Sequence, residues 1–229
     1  MRLRHTALVL IGLTAATAAS AAERRFAASG FDKVSANGSE DVVITTGKTA
    51  SVIAIGPQER LDRLEIGVEG GTLKIRQKRG SSWRWGSDDG VVVRVSMPAL
   101  HAVSTAGSGD VSADGGTGPD FAASIAGSGD MRITNVNSAA VRLSTAGSGD
   151  FTVAGKCTTL GTAISGSGDM DLAGLACADA DVAISGSGDV LVNASRTANV
   201  RISGSGDVRV SGGAKCTSRT SGSGAVSCG

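Results

Sequence analysis

The sequence predicts an all-β fold, a β-helix or β-solenoid of about 20-residue coils, and three observations carry that prediction. A Gly-Ser-Gly core recurs seven times, beginning at Gly107, Gly127, Gly147, Gly166, Gly186, Gly204 and Gly222. Six copies run on into Asp110, Asp130, Asp150, Asp169, Asp189 and Asp207, at steps of 20, 20, 19, 20 and 18 residues, and the seventh has Ala225 in that place. Around each motif the apolar residues hold odd offsets. One place after the Asp stand Val111, Met131, Phe151, Met170, Val190 and Val208, and five places before it stand Thr105, Ile125, Thr145, Ile164, Ile184 and Ile202. Even offsets carry the Asp itself, the motif serine, and residues such as Arg132, Thr152, Asp171 and Arg209. This period of two belongs to strands with one apolar face, and it excludes both helical repeats and a flexible Gly/Ser linker.

Taken from the N-terminus, residues 1–21 read as a secretory signal peptide. Arg2 and Arg4 precede an apolar run, and Ala19, Ser20 and Ala21 form a small-x-small cleavage pattern. The run is too short and too rich in Ala and Thr for a membrane anchor, and no later segment could span a bilayer as a helix. Removing Arg2 and Arg4 leaves 20 basic residues against 21 acidic ones, so nothing steers the mature chain toward nucleic acid. His5 leaves with the same segment, and His101 is then the sole imidazole.

Residues 22–102 lack the repeat but remain strand-like, with DVVITTG at Asp41, SVIAIG at Ser51, LEIGVEGGTLKIRQKR from Leu64 and GVVVRVSMP from Gly90. Gly70-Gly71 and Gly56-Pro57 suit hairpin turns, and Gln58 to Glu65 could form a helical turn. The expectation is an antiparallel β-cap continuous with the solenoid, because an uncapped coil end exposes unpaired strand groups. ANGSEDVVI, from Ala36 to Ile44, has the shape of AGSGDMRI, with Gly38 and Asp41 in the motif's places. It reads as a coil strand supplied from the N-terminal part.

Residues 103–229 form the repeat region. Seven coils at about 4.8 Å would make a rod of about 34 Å. Both motif glycines fall on the inward-facing parity, where a missing side chain lets a strand bend or the coil wall close in. Cys157 lies seven residues after Asp150 and Cys177 eight after Asp169, so these two should sit one above the other on adjacent coils. Cys216 and Cys228 flank the last motif. The predicted disulfides are therefore Cys157–Cys177 and Cys216–Cys228, since pairing Cys177 with Cys216 would span two coils, about 9.6 Å, beyond disulfide reach. An even cysteine count fits an oxidising compartment, and the spacing fits no zinc site.

The order FDKVSANGSEDVVITTG, then GGTLKI, then VVVRVSMPALHAVSTAGSGDV, then GSGD repeats resembles the head GIN domain family, a domain of unknown function likened to autotransporter adhesin heads. The resemblance covers about residues 31–210. It implies an exported bacterial envelope protein with a β-helix-like fold, in the periplasm or on the outer surface of a Gram-negative cell, and an adhesin-like role. The chain ends at Gly229 without a translocator barrel, so self-export is not expected.

Three function classes follow. The first is a non-enzymatic structural or interaction module whose partner is an envelope protein or a glycan, with no cofactor, and with end-to-end or side-by-side stacking of copies left open. The second is a Ca²⁺-dependent glycan-binding protein in which Asp110, Asp130, Asp150, Asp169, Asp189 and Asp207 form a row of cation sites. Against it stands a bland reading, in which each Asp accepts amide hydrogen bonds from its own Gly-Ser-Gly bend, with Arg132 and Arg209 nearby. The third is a polysaccharide-active enzyme. Recurring Asp copies do not make a singular active site, aromatics are 3% with no Tyr, and a Ser-His-Asp arrangement would rest on His101 alone. Trp83 and Trp85, flanking Arg84, are the candidate ligand-binding pair; the alternative is a hairpin end packed on the cap.

Overall fold

A computed structural model describes residues 21–78 and 90–229 of the chain. Residues 1–20 of the predicted signal peptide, and Trp83 and Trp85, lie outside the described residues. The elements are β1 (Ala22–Phe26), β2 (Lys33–Gly38), β3 (Asp41–Thr45), β4 (Ser51–Gly56), α1 (Gln58–Leu61), β5 (Leu64–Glu69), β6 (Thr72–Gln77), β7 (Val92–Ser96), β8 (Ala102–Gly107), β9 (Val111–Ala113), β10 (Gly116–Gly127), β11 (Met131–Gly147), β12 (Phe151–Gly166), β13 (Met170–Gly186), β14 (Val190–Gly204), β15 (Val208–Ser211), β16 (Lys215–Gly222) and β17 (Val226–Cys228). Strands account for 71% of the chain and helix for 2%, so the predicted class holds.

Successive coils pair in parallel, residue on equivalent residue: Phe121 on Val141, Val141 on Leu160, Leu160 on Ala180, Ala180 on Ala198. Each strand's polar groups are thus satisfied by the coils on either side. The solenoid makes about six turns, which are the steps between the seven motif corners. Within one coil the buried parity shifts twice. Along β11 the buried residues are Met131 and Ile133, then Val136 and Ser138, then Val141, Leu143 and Thr145. With the motif as the third turn, each coil closes as a three-sided loop around a stacked apolar interior. The unequal step lengths are absorbed at these bends, where register slips between Ile133 and Val136, between Leu172 and Ala176, and again between Cys177 and Asp179. Extra residues bulge there and leave the inward ladders in phase.

The N-terminal part is woven into the rod. Gly38 pairs with Gly107 and Val42 with Val111, which places ANGSED in motif register as the sequence indicates. The other side of this rung is covered by β6 and β7, also in parallel. The stacking order is therefore β6/β7, then β2/β3, then β8/β9, and only then the consecutive coils. Beyond β6/β7 the chain turns antiparallel: β5 on β6 through the Gly70-Gly71 turn, β4 on β7, and β1 on β4. Both turn glycines have positive φ, 55° and 73°, as a two-residue hairpin requires. The helical turn α1 starts at Gln58 and buries Leu61.

Both predicted disulfides are present. Cys157 and Cys177 are ladder partners with Cα atoms 4.6 Å apart, and Cys216 is joined to Cys228 across the last coil. That last coil differs from the others inside. Ser218 and Thr220 stand where the preceding coil has buried Val200 and Ile202, so the end of the stack is polar and stapled.

Candidate functional site

The repeated motif forms one long edge of the rod. In each coil the first glycine has φ between 125° and 143°, and a Cβ placed on it would lie about 2 Å from the carbonyl oxygen of the equivalent glycine one coil earlier, for example 2.2 Å for Gly147 against Gly127. The second glycine is buried in most copies and meets the same obstacle, with a Cβ on Gly149 falling 2.2 Å from the Gly129 oxygen. Both glycines are thus required by close backbone approach, and the first also by its backbone angle.

The carboxylates correct the sequence reading. None of the ladder aspartates bonds the amides of its own bend. The Asp110 Oδ1 accepts from the Asp130 N–H at 2.8 Å, and the relation repeats up the stack: Asp130 to Asp150 at 2.9 Å, then Asp150 to Asp169, Asp169 to Asp189 and Asp189 to Asp207 at 2.7 Å each. Asp41 starts the ladder by accepting from the Asp110 N–H at 3.0 Å, and Asp207 ends it on the Ala225 N–H at 2.8 Å. The seventh motif has Ala225 in the Asp position, and it contributes only the amide that Asp207 accepts. Among the described residues no ion pair joins Arg132 or Arg209 to the ladder, so the charge-assisted amide bonds are what offset repulsion between neighbouring carboxylates, about 1 kcal/mol per pair at the dielectric of water.

A test separates this corner role from a cation site. Asp150→Ala is expected to cost about 1 kcal/mol, since the Asp169 amide loses its charged acceptor, and Asp150→Asn, which keeps an oxygen there, should be near neutral. Denaturant midpoints decide between them. On the same footing, chelator and millimolar Ca²⁺ should leave Tm unmoved; a rise of many degrees would make the edge a cation-binding row.

His101 does not assemble a triad. Its Nδ1 meets the Asp32 Oδ2 at 3.0 Å, both side chains are about half-exposed, and no serine hydroxyl of the described residues contacts the ring. Among the described residues there is also no group of three or more His, Cys, Asp or Glu placed to hold a metal ion.

The second surface was not singled out from the sequence. On the sheet that leads into each motif, the outward column six places before the Asp runs Ser35, Ser104, Ser124, Ser144, Ala163, Ala183 and Arg201, residue paired on residue. Beside it run Lys33, Ala102, Ala122, Arg142, Gly161 and Asp181. Short side chains leave the middle of the sheet low between longer ones, producing an open groove of about 780 Å³. Among the described residues Lys33, Lys74, Arg142 and Arg201 line it, with Asp181 as its one acid. Arg142 is held by Asp120 at 3.0 Å. Near the rim the Arg196 guanidinium and the Thr197 hydroxyl hold the Asp179 carboxyl down at about 2, so that pair stays charged at all ordinary pH values. The signal for this face was present in the repeat, as small residues at one constant even offset; what it could not give was Lys33 and Lys74, which come from the N-terminal strands.

Residues 30–214 match the family described as "Putative auto-transporter adhesin, head GIN domain". The chain belongs to the head GIN domain family. The sequence resemblance is thereby confirmed over four-fifths of the chain. Solved structures share this head GIN fold. A "putative adhesin" from Bacteroides fragilis superposes with a TM-score of 0.81 at 19% identity, over 92% of this chain and 98% of that one. A "Putative lipid binding protein" from Parabacteroides distasonis gives 0.72 at 22%, over 92% and 97%, and a "putative adhesin" from Parabacteroides merdae gives 0.63 at 16%, over 92% and 96%. At these identities the likeness speaks for the fold. No curated protein matches the head GIN chain.

Proposed function

We propose that this chain is exported and acts, without catalysis, as an adhesin-like interaction module of the bacterial cell envelope, its rod presenting a long fixed face to an envelope protein or glycan. The observation that carries this reading is the repetition itself. Coils in register create extended surfaces of near-equivalent positions, which suit an elongated partner better than a single reacting centre. The family's adhesin-like character supports it, and two closed disulfides fit an oxidising compartment. No helix among the described residues is long and apolar enough to cross a membrane. The polar, stapled last coil favours a rod that stays single at that end.

The test uses labelled mature protein, beginning at Ala22, with whole Gram-negative cells and isolated envelopes. Saturable binding to either is expected, together with recovery of the native protein from the periplasmic or surface fraction. Recovery from the cytosol with reduced cysteines would overturn export, and turnover of a polysaccharide panel would restore the enzyme reading. Binding that requires Ca²⁺ would instead favour the cation-dependent glycan-binding alternative.

A further inference from the structure

We propose that the groove on the serine- and alanine-faced sheet binds an acidic polysaccharide, an extended chain of uronate-type sugars lying along the rod, with its carboxylates on Lys33, Lys74 and Arg201. The proposal rests on the adhesin-like reading and names the ligand class for it.

Shape comes first. The groove crosses the strands from β6 to β14. Those are eight successive strands, a path of about 34 Å at the usual strand spacing. It is open along its length and floored by Ser104, Ser124 and Ser144, whose hydroxyls recur at the coil step and can both donate and accept. Such a floor suits a linear, hydroxyl-rich chain, whereas an acyl chain would need a deep apolar slot.

Charge comes second. Among the described residues Lys33, Lys74 and Arg201 have no ion-pair or hydrogen-bond partner, and Asp181 is the lone acid that lines the groove. The mature chain is close to neutral, so this surplus is a segregation of charge: the seven ladder carboxylates stand across the glycine corner and leave the groove cationic. Cations without partners in an open groove complement an anionic ligand and make its binding salt-sensitive.

The third point is what the groove lacks. Neutral sugars are commonly held by stacking on aromatic faces, but Phe31, Phe121 and Phe151 are buried, and among the described residues no aromatic side chain lines the groove. Recognition by these residues comes from charge and hydroxyl contacts, which favours an acidic over a neutral glycan and gives nucleic-acid bases nothing to stack on.

The experiment is calorimetric titration of the mature protein with a polygalacturonate oligomer and with the same oligomer methyl-esterified, at low and physiological salt. The expected result is binding of the acid form only, weakening as salt rises, with a loss of roughly tenfold or more in the Lys33→Ala/Lys74→Ala/Arg201→Ala variant at unchanged Tm. Arg209→Ala, on another face, should retain full affinity. Equal binding of the ester, no binding of the acid, an unaffected triple variant, or binding of phosphatidylglycerol vesicles in place of the oligomer would each overturn the proposal. Cell binding read in parallel separates it from the broader reading: adhesion that survives the triple variant sinks the groove alone, and wild-type protein that binds neither cells nor envelopes sinks the adhesin-like module.

Discussion

Gly147→Ala is expected to destabilise the protein by about 3–5 kcal/mol, a loss of roughly 10 °C in Tm for a domain of this size. Two costs combine at one atom. The backbone of Gly147 holds φ at 135°, a conformation side chains rarely adopt, and the new Cβ would lie 2.2 Å from the Gly127 carbonyl oxygen. That oxygen is already fixed, because it accepts the Ser148 amide at 2.9 Å, so neither partner can yield without separating two coils. The chemically identical change Gly161→Ala is the control: its Cβ would meet nothing within 4 Å, and the cost should stay below about 1 kcal/mol. Equal Tm values for the two variants would mean that the coil step at the motif is wider than a close glycine stack.

Phe151→Ala should cost a similar amount, about 3–5 kcal/mol, measured as a shift in denaturant midpoint. Phe151 is 1% exposed and lies in an inward ladder between Met131 and Met170, one coil below and one above. Truncation removes the contacts of both methionines with the ring. Collapse onto the void is resisted, since the backbone of this coil is paired on each side at a fixed spacing, and the cost should sit toward the upper end of the range. Phe151→Leu, which refills most of the volume, should lose less than half as much. A cost near 1 kcal/mol for the alanine variant would show that the coils can close over the loss of a whole phenyl ring far better than a paired stack allows, roughly as a loosely packed interior would.

Much of this architecture is written in the order of residues. Constant odd offsets place Met131, Phe151 and Met170 on one inward line, and the count from each Asp puts Cys157 over Cys177. The same counting finds Gly38 and Asp41 as a motif copy sixty-nine residues ahead of Gly107 and Asp110, and the structure pairs them. These features are legible because alternation and period are local properties of the chain: a strand residue's face is set by its parity, and a coil's register by the length of the repeat.

Other features belong to the tertiary structure alone. Parity says which way Asp150 points but not which amide it meets, and the amide turned out to be that of Asp169 in the next coil. Nothing in the order β2, β3, β6, β7, β8 announces that β2/β3 slips between β6/β7 and β8/β9, because a sheet edge accepts any strand of suitable face and direction, wherever it lies in the chain. The cationic groove has the same origin. Lys33, Lys74 and Arg201 are far apart in sequence and share a surface only once that interleaved stack has formed. The sequence by itself determined the coil, its interior and its staples, since each follows from period and alternation; the neighbours of the coil, and with them the charged face, were decided by long-range pairing.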